Sequence, residues 1–224
     1  MVKFSQKVTG VERKGMAAII AEATGQQVKY SGVPSYAYEI GGWSIDRDGI
    51  VYSPTFDTNQ ILDYKKVLDA LNLPELTAEG DLCITFSTEG HNEVTLQNLS
   101  ALIKSKANLL EKSLSRPAEQ DWTVSLDTES EIKFTFFNAT LNFDEVKAFI
   151  LLAEKLSQQA KALKYCSAKE KAVENEKYAM RCFLLRLGFI GDEYKTERKI
   201  LLGRLSGNAA FKSEQHSIQE VASA

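Results

Sequence analysis

Cysteine, histidine and proline are scarce: three Cys, two His and four Pro among 224 residues. Cys83, Cys166 and Cys182 are odd in number and far apart, which argues against a disulfide framework and for reduced thiols. With only His91 and His216 and no CxxC pair, a structural zinc site lacks its ligands. No apolar run approaches the ~20 residues that span a bilayer, and the opening MVKFSQKVTG has no apolar signal core. These absences point to a cytoplasmic protein with no membrane partner. GxSxG, the Walker loop, GxGxxG and HExxH are all missing. No catalytic residue and no cofactor is therefore assigned, and the balance leans away from an enzyme without closing that question.

What is present is ordinary for a globular chain: 44% hydrophobic and 25% charged residues. At this length one large domain or two small ones can bury a core. The net charge of −3 hides an asymmetry. Residues 161–212 hold 12 Lys+Arg against 6 Asp+Glu, leaving 15 bases and 24 acids elsewhere. An acidic body thus carries a basic end.

Hydrophobic periodicity sets out the elements. Val2, Phe4 and Val8 suggest a first strand, and Val11, Met16, Ile19, Ile20 and Ala23 a helix ended by Gly25. Residues 28–30 are extended, 36–40 strand-like, turned at Gly41-Gly42 into 43–45 and at Asp48-Gly49 into 50–52. A helix over 57–71 follows, then a linker at 73–80. The second part repeats the order: a strand at 82–87, a helix over 94–114, a hairpin of 122–126 and 132–136 around an acidic turn, and a helix from 142 towards 165. The chain is therefore read as α+β: two ferredoxin-like βαββα units, 1–72 and 81–165, each an antiparallel sheet with helices on one face. A C-terminal helical hairpin at 170–207 and a polar tail at 213–224 complete it.

The hairpin has the most distinctive sequence. From 177 to 187 only Lys177, Arg181 and Arg186 are charged, and a helix apolar nearly all round is expected to be buried. Gly188 and Gly191 break it, Asp192 is a candidate N-cap for the next helix, and Ser206-Gly207-Asn208 stops the pair. EKYAMRCFLLRLGFIGDEYK at 176–195, RKILL at 198–202, LSGN at 205–208, AEATG at 21–25 and IDRDG at 45–49 resemble the "virulence-related" proteins carried by mobile elements of gut Firmicutes. The resemblance touches both ends and extends over most of the chain. It implies an accessory protein of a mobile element and no reaction or catalytic residue.

Two surfaces are candidates for function. Lys195, Arg198 and Lys199 fall one helical turn apart, with Arg204 nearby, and could grip phosphates. Setting Gly188 at the turn of a helix-turn-helix motif puts Leu184 where a small residue is usual and Glu197 where an apolar one is, a partial match. Glu193 and Glu197 are close enough to neutralise the bases. The second surface is aromatic: Tyr36, Tyr38, Trp43 and Tyr52, with Tyr30 beside them. Tyr36 and Tyr38 are expected to share a strand face, and an exposed aromatic sheet can stack bases. Asp46-Arg-Asp-Gly49 reads as a hairpin turn rather than a calcium loop, since it lacks the third ligand and the distal Glu. His91 has no nucleophile beside it in sequence, and Cys182 reads as packing. The leading expectation is a non-enzymatic accessory protein acting through protein or nucleic-acid contact, with self-association left open. The alternative is a small-molecule-binding protein or enzyme with a tyrosine-lined cleft between the two units.

Overall fold

The computed structural model describes residues 1–72, 76–114, 125–128, 131–136 and 142–210, the side chains of 77–80 and 125–128 excepted. The expected linker at 73–80 and the strand at 122–126 fall partly outside these residues, and the tail at 213–224 wholly so. Eight strands and seven α-helices are described. In chain order these are β1 (Val2–Thr9), α1 (Arg13–Thr24), β2 (Val28–Tyr30), β3 (Tyr38–Ile40), β4 (Trp43–Ile45), β5 (Ile50–Tyr52), α2 (Lys65–Leu71), β6 (Thr77–Ser87) and α3 (Glu93–Lys104). After these come α4 (Ala107–Ser113), β7 (Ser125–Thr128), β8 (Glu131–Phe136), α5 (Phe143–Ala162), α6 (Glu176–Arg186) and α7 (Lys195–Leu202). The fold is α+β, and every strand pair is antiparallel.

All eight strands join one sheet in the order β2-β3-β4-β5-β1-β6-β8-β7. In each half, the first strand pairs with the last strand of the following hairpin: β5 lies beside β1, and β8 beside β6. The two first strands then pair with each other at the centre, Phe4 opposite Ile84. The first half holds four short strands after α1, where a βαββα count allows two. Alternation explains the strands. Val2, Phe4 and Val8 of β1, Leu82, Ile84 and Phe86 of β6, and Ile132, Phe134 and Phe136 of β8 are buried. Lys3, Ser5, Cys83, Thr85, Lys133 and Thr135 between them are half-exposed, because successive side chains leave opposite faces.

The chain forms two compact units that do not follow the two halves. One comprises residues 1–89 with 123–151, the other 90–122 with 152–224. The first holds the whole sheet. Its apolar face is covered by Met16, Ala17 and Ile20 of α1, Val67, Leu68 and Leu71 of α2, and the first part of α5, where Phe149 stacks on Phe136 at 4.8 Å. The expected helix over 57–71 begins as a 3₁₀ turn, Thr58–Tyr64, capped by Asp57 through a capping box with Gln60.

The second unit is helical. Asn92 caps α3 through a capping box with Thr95. The expected single helix over 94–114 breaks at Lys106, whose φ of −130° leaves the helical region before α4 begins. The core is Leu99, Ile103, Leu110, Leu156, Met180, Phe183 and Leu184, with Phe189, Leu201 and Leu205. The expectation that 177–187 is buried all round is corrected. Met180, Phe183, Leu184 and Leu187 are buried, but Tyr178, Cys182 and Leu185 are half-exposed and Arg181 and Arg186 exposed. The helix is amphipathic, and part of its outer face is apolar.

Candidate functional site

The basic stretch owes its position to how α6 ends. Gly188 takes φ 89°, open to glycine without strain. Its N–H donates to Leu185 O and that of Phe189 to Leu184 O, each at 3.0 Å. This is the Schellman pattern, with buried Phe189 and Leu184 as its apolar contact. Gly191 at φ 93° then turns the chain into a 3₁₀ turn, Asp192–Tyr194, and α7. Asp192 is not the N-cap: Gly191 holds that position and no side chain bonds there.

Arg198 is half-exposed and is held by its own chain. Its Nη1 donates to Phe189 O at 3.0 Å and to Gly191 O at 2.7 Å, tying α7 to the carbonyls that the glycine turn leaves over. Glu197 is 1% exposed, whereas Glu193, the other acid expected beside the bases, is exposed. Glu197 occupies the buried position nine residues after Gly188, where a helix-turn-helix would bury an apolar residue. Lys195 and Lys199, one turn apart, are exposed, as is Arg204. Of the four bases singled out, three remain at the surface.

The aromatic set is dispersed. Trp43 is 3% exposed, edge-on to Phe4 at 5.7 Å and 5.8 Å from Tyr64. It belongs to the core and not to a binding surface. The expected pairing of Tyr36 with Tyr38 fails because Tyr36 has φ 50° and lies in a turn, its N–H bonded to Gly32 O, while β3 starts at Tyr38. Tyr38 packs against Tyr30 at 5.0 Å and under the Arg13 guanidinium at 5.5 Å. Arg13 also donates to Tyr36 O at 2.8 Å and Asp46 O at 3.0 Å. Tyr52 emerges on the opposite sheet face from Val51, and its Oη donates to Asp46 Oδ2 at 3.2 Å. Burial and the neighbouring Asp46 push its phenol up. Asp46 Oδ1 accepts from Asp48 N and Ile50 N, both at 2.9 Å, so this carboxylate builds the hairpin turn.

Three further features were not read from the sequence. On the polar sheet face, Lys3, Ser5, Lys7, Tyr52, Cys83 and Lys133 line a concavity of about 430 Å³. A Lys3–Glu131 ion pair of 2.8 Å crosses it. The halves meet there through the paired strands β1 and β6, and Tyr52 is the only one of the tyrosines to line it. His91 Nε2 lies 2.8 Å from Ser157 Oγ, and its Nδ1 3.1 Å from Thr95 Oγ1. Thr95 Oγ1 already donates to Asn92 O, so it accepts from Nδ1–H and Ser157 donates to Nε2. Burial, then Lys161, lowers the pKa of this imidazole. Ser157 is buried, and the pair fastens the start of α3 to α5. Finally, Glu176 accepts from Lys112 Nζ and from Ser206 N at 3.1 Å and Ser206 Oγ at 2.8 Å. Those bonds hold its carboxyl down to about 2.

No group of three His, Cys, Asp or Glu able to hold a metal gathers among the described residues, and no helix there is long and apolar enough to cross a membrane. No protein-family model matches the chain, and no curated protein matches it.

Proposed function

We propose that the protein is a cytoplasmic accessory protein that works by contact rather than by chemistry, with the exposed basic face of α7 engaging the phosphate backbone of a nucleic acid. One observation carries this reading: Glu197 is buried while Lys195 and Lys199 are exposed one turn apart, with Arg204 beyond them. Of the two acids expected beside the bases, Glu197 is buried and Glu193 is exposed. The excess of bases over 161–212 supports the same reading. The resemblance to the "virulence-related" proteins of Firmicutes mobile elements agrees with such a role. The matching strand orders around β1 and β6 favour two ferredoxin-like βαββα repeats sharing a sheet, followed by α6 and α7 as a helical hairpin.

Three cations reach few phosphates, so binding is weak and mainly indifferent to sequence. Fluorescence anisotropy with labelled duplex and single-stranded oligonucleotides at low salt tests it. Binding at tens of micromolar protein is expected, lost when Lys195, Lys199 and Arg204 are changed together to Gln. An absence of binding to either oligonucleotide would instead favour an acidic protein partner at the same face.

A further inference from the structure

We propose that the helical unit carries a second site, a pocket beside α6 that takes a small phosphomonoester, its phosphate held by Lys106 and Arg186 and its organic part lying against Tyr178. The pocket measures about 390 Å³, within the range of small-molecule sites. Tyr178, Cys182 and Arg186 follow one another along α6 at four-residue spacing and form one wall. Residues 172–175 form the other, and Lys106 enters from the break between α3 and α4.

The charges favour an anion. Among the described residues no ion pair includes Lys106 or Arg186. Arg186 uses its Nε on Cys182 O at 3.2 Å, and Lys106 Nζ lies 5.9 Å from the Phe183 ring. Burial first, then Arg186, pushes the Lys106 ammonium down from its ordinary value, with Glu170 acting in the opposite sense. An anion between the two cations relieves both costs. A guanidinium and an ammonium together suit a phosphate, the guanidinium through its planar fork and the ammonium as a point charge.

Size and composition narrow the ligand further. Glu174 also lines the pocket, so the lining side chains leave one net positive charge. That suits a single phosphate group rather than a polyanionic backbone. Ala172, Val173, Ala179 and the half-exposed Tyr178 ring give the rest of the ligand an apolar and aromatic surface. This site is separate in residues from Lys195, Lys199 and Arg204, and it stands whether or not α7 binds nucleic acid.

The test is titration calorimetry of the full chain with adenosine 5′-monophosphate, adenosine and inorganic phosphate, repeated on Lys106→Gln and Arg186→Gln. The monophosphate should bind, phosphate more weakly, and adenosine weakest. Each variant should weaken the monophosphate by about tenfold or more, with circular dichroism and urea midpoints near wild type. The Lys195, Lys199 and Arg204 triple variant should bind it unchanged. A short single strand with a 5′-phosphate, compared with its 5′-hydroxyl form, separates the two sources of the group. On the Lys195, Lys199 and Arg204 triple variant, preference for the phosphorylated strand over the mononucleotide assigns a nucleic-acid terminus, and the reverse assigns a free metabolite. Failure of both the monophosphate and phosphate to bind at millimolar concentration overturns the proposal. So does equal binding of adenosine, or binding that survives in both folded variants.

Discussion

Changing Arg198 to Met separates a structural base from a contact base. The substitution keeps a long unbranched stem, so packing along α7 changes little. It removes the Nη1 donor to Phe189 O and Gly191 O. A hydrogen bond to a charged group contributes about 1.5–3 kcal/mol where both partners are buried. Here one bond is exposed and the other part-buried, so water replaces part of each. The expected loss is about 1–3 kcal/mol in urea denaturation, seen as a lower midpoint with an unchanged slope. For a chain of this size that is a fall of roughly 2–4 °C in Tm for each kcal/mol. Oligonucleotide affinity should fall no more than about threefold, because the guanidinium is turned inward. A midpoint equal to wild type together with a large loss of affinity would refute this role and return Arg198 to the phosphate face.

Other expectations follow from the helical unit. Phe183→Ala should cost ~3–5 kcal/mol by chemical denaturation, since the ring is 3% exposed; a loss under about 1 kcal/mol would mean that α6 is peripheral. Gly207→Ala should cost about 1–3 kcal/mol, because Gly207 has φ 89° and a Cβ there collides with the Asn175 side-chain amide; a neutral result would show that the stop at 206–208 does not close on α6. Glu176 has a depressed carboxyl, so its stabilisation is full above the ordinary carboxylate range and is lost as pH falls towards about 2. Glu176→Gln should therefore flatten the acid limb of the stability curve, and an unchanged limb would argue against the Lys112 and Ser206 bonds.

Much of the fold is legible in single residues. Val2, Phe4 and Val8 mark β1 because one face of that strand is buried, and Asp48-Gly49 marks a hairpin because Gly49 takes φ 82°. Local patterns could not show that β1 pairs with β6, since Phe4 and Ile84 meet only through tertiary pairing. Nor could they show which alternate face of β4 is inside. Trp43 and Tyr52 both looked like surface aromatics, yet Trp43 shares its face with buried Ile40 and Ile45 while Tyr52 lies on the other. Arg198 was picked out as a base by its type and spacing, which say nothing of the carbonyls behind the glycine turn. Lys106 and Arg186 lie far apart in sequence, and Arg186 stands in 176–195 only as one charge in an apolar stretch, so their pocket left no trace there.

The salt dependence of oligonucleotide binding tests the central claim most directly. With Lys195, Lys199 and Arg204 meeting about three phosphates, log Kobs against log salt should fall with a slope near −3 for duplex and near −2 for single strands. The triple Gln variant should show no measurable slope and an unchanged circular dichroism spectrum. A wild-type affinity that does not vary with salt, or a slope that the triple variant retains, would contradict the account.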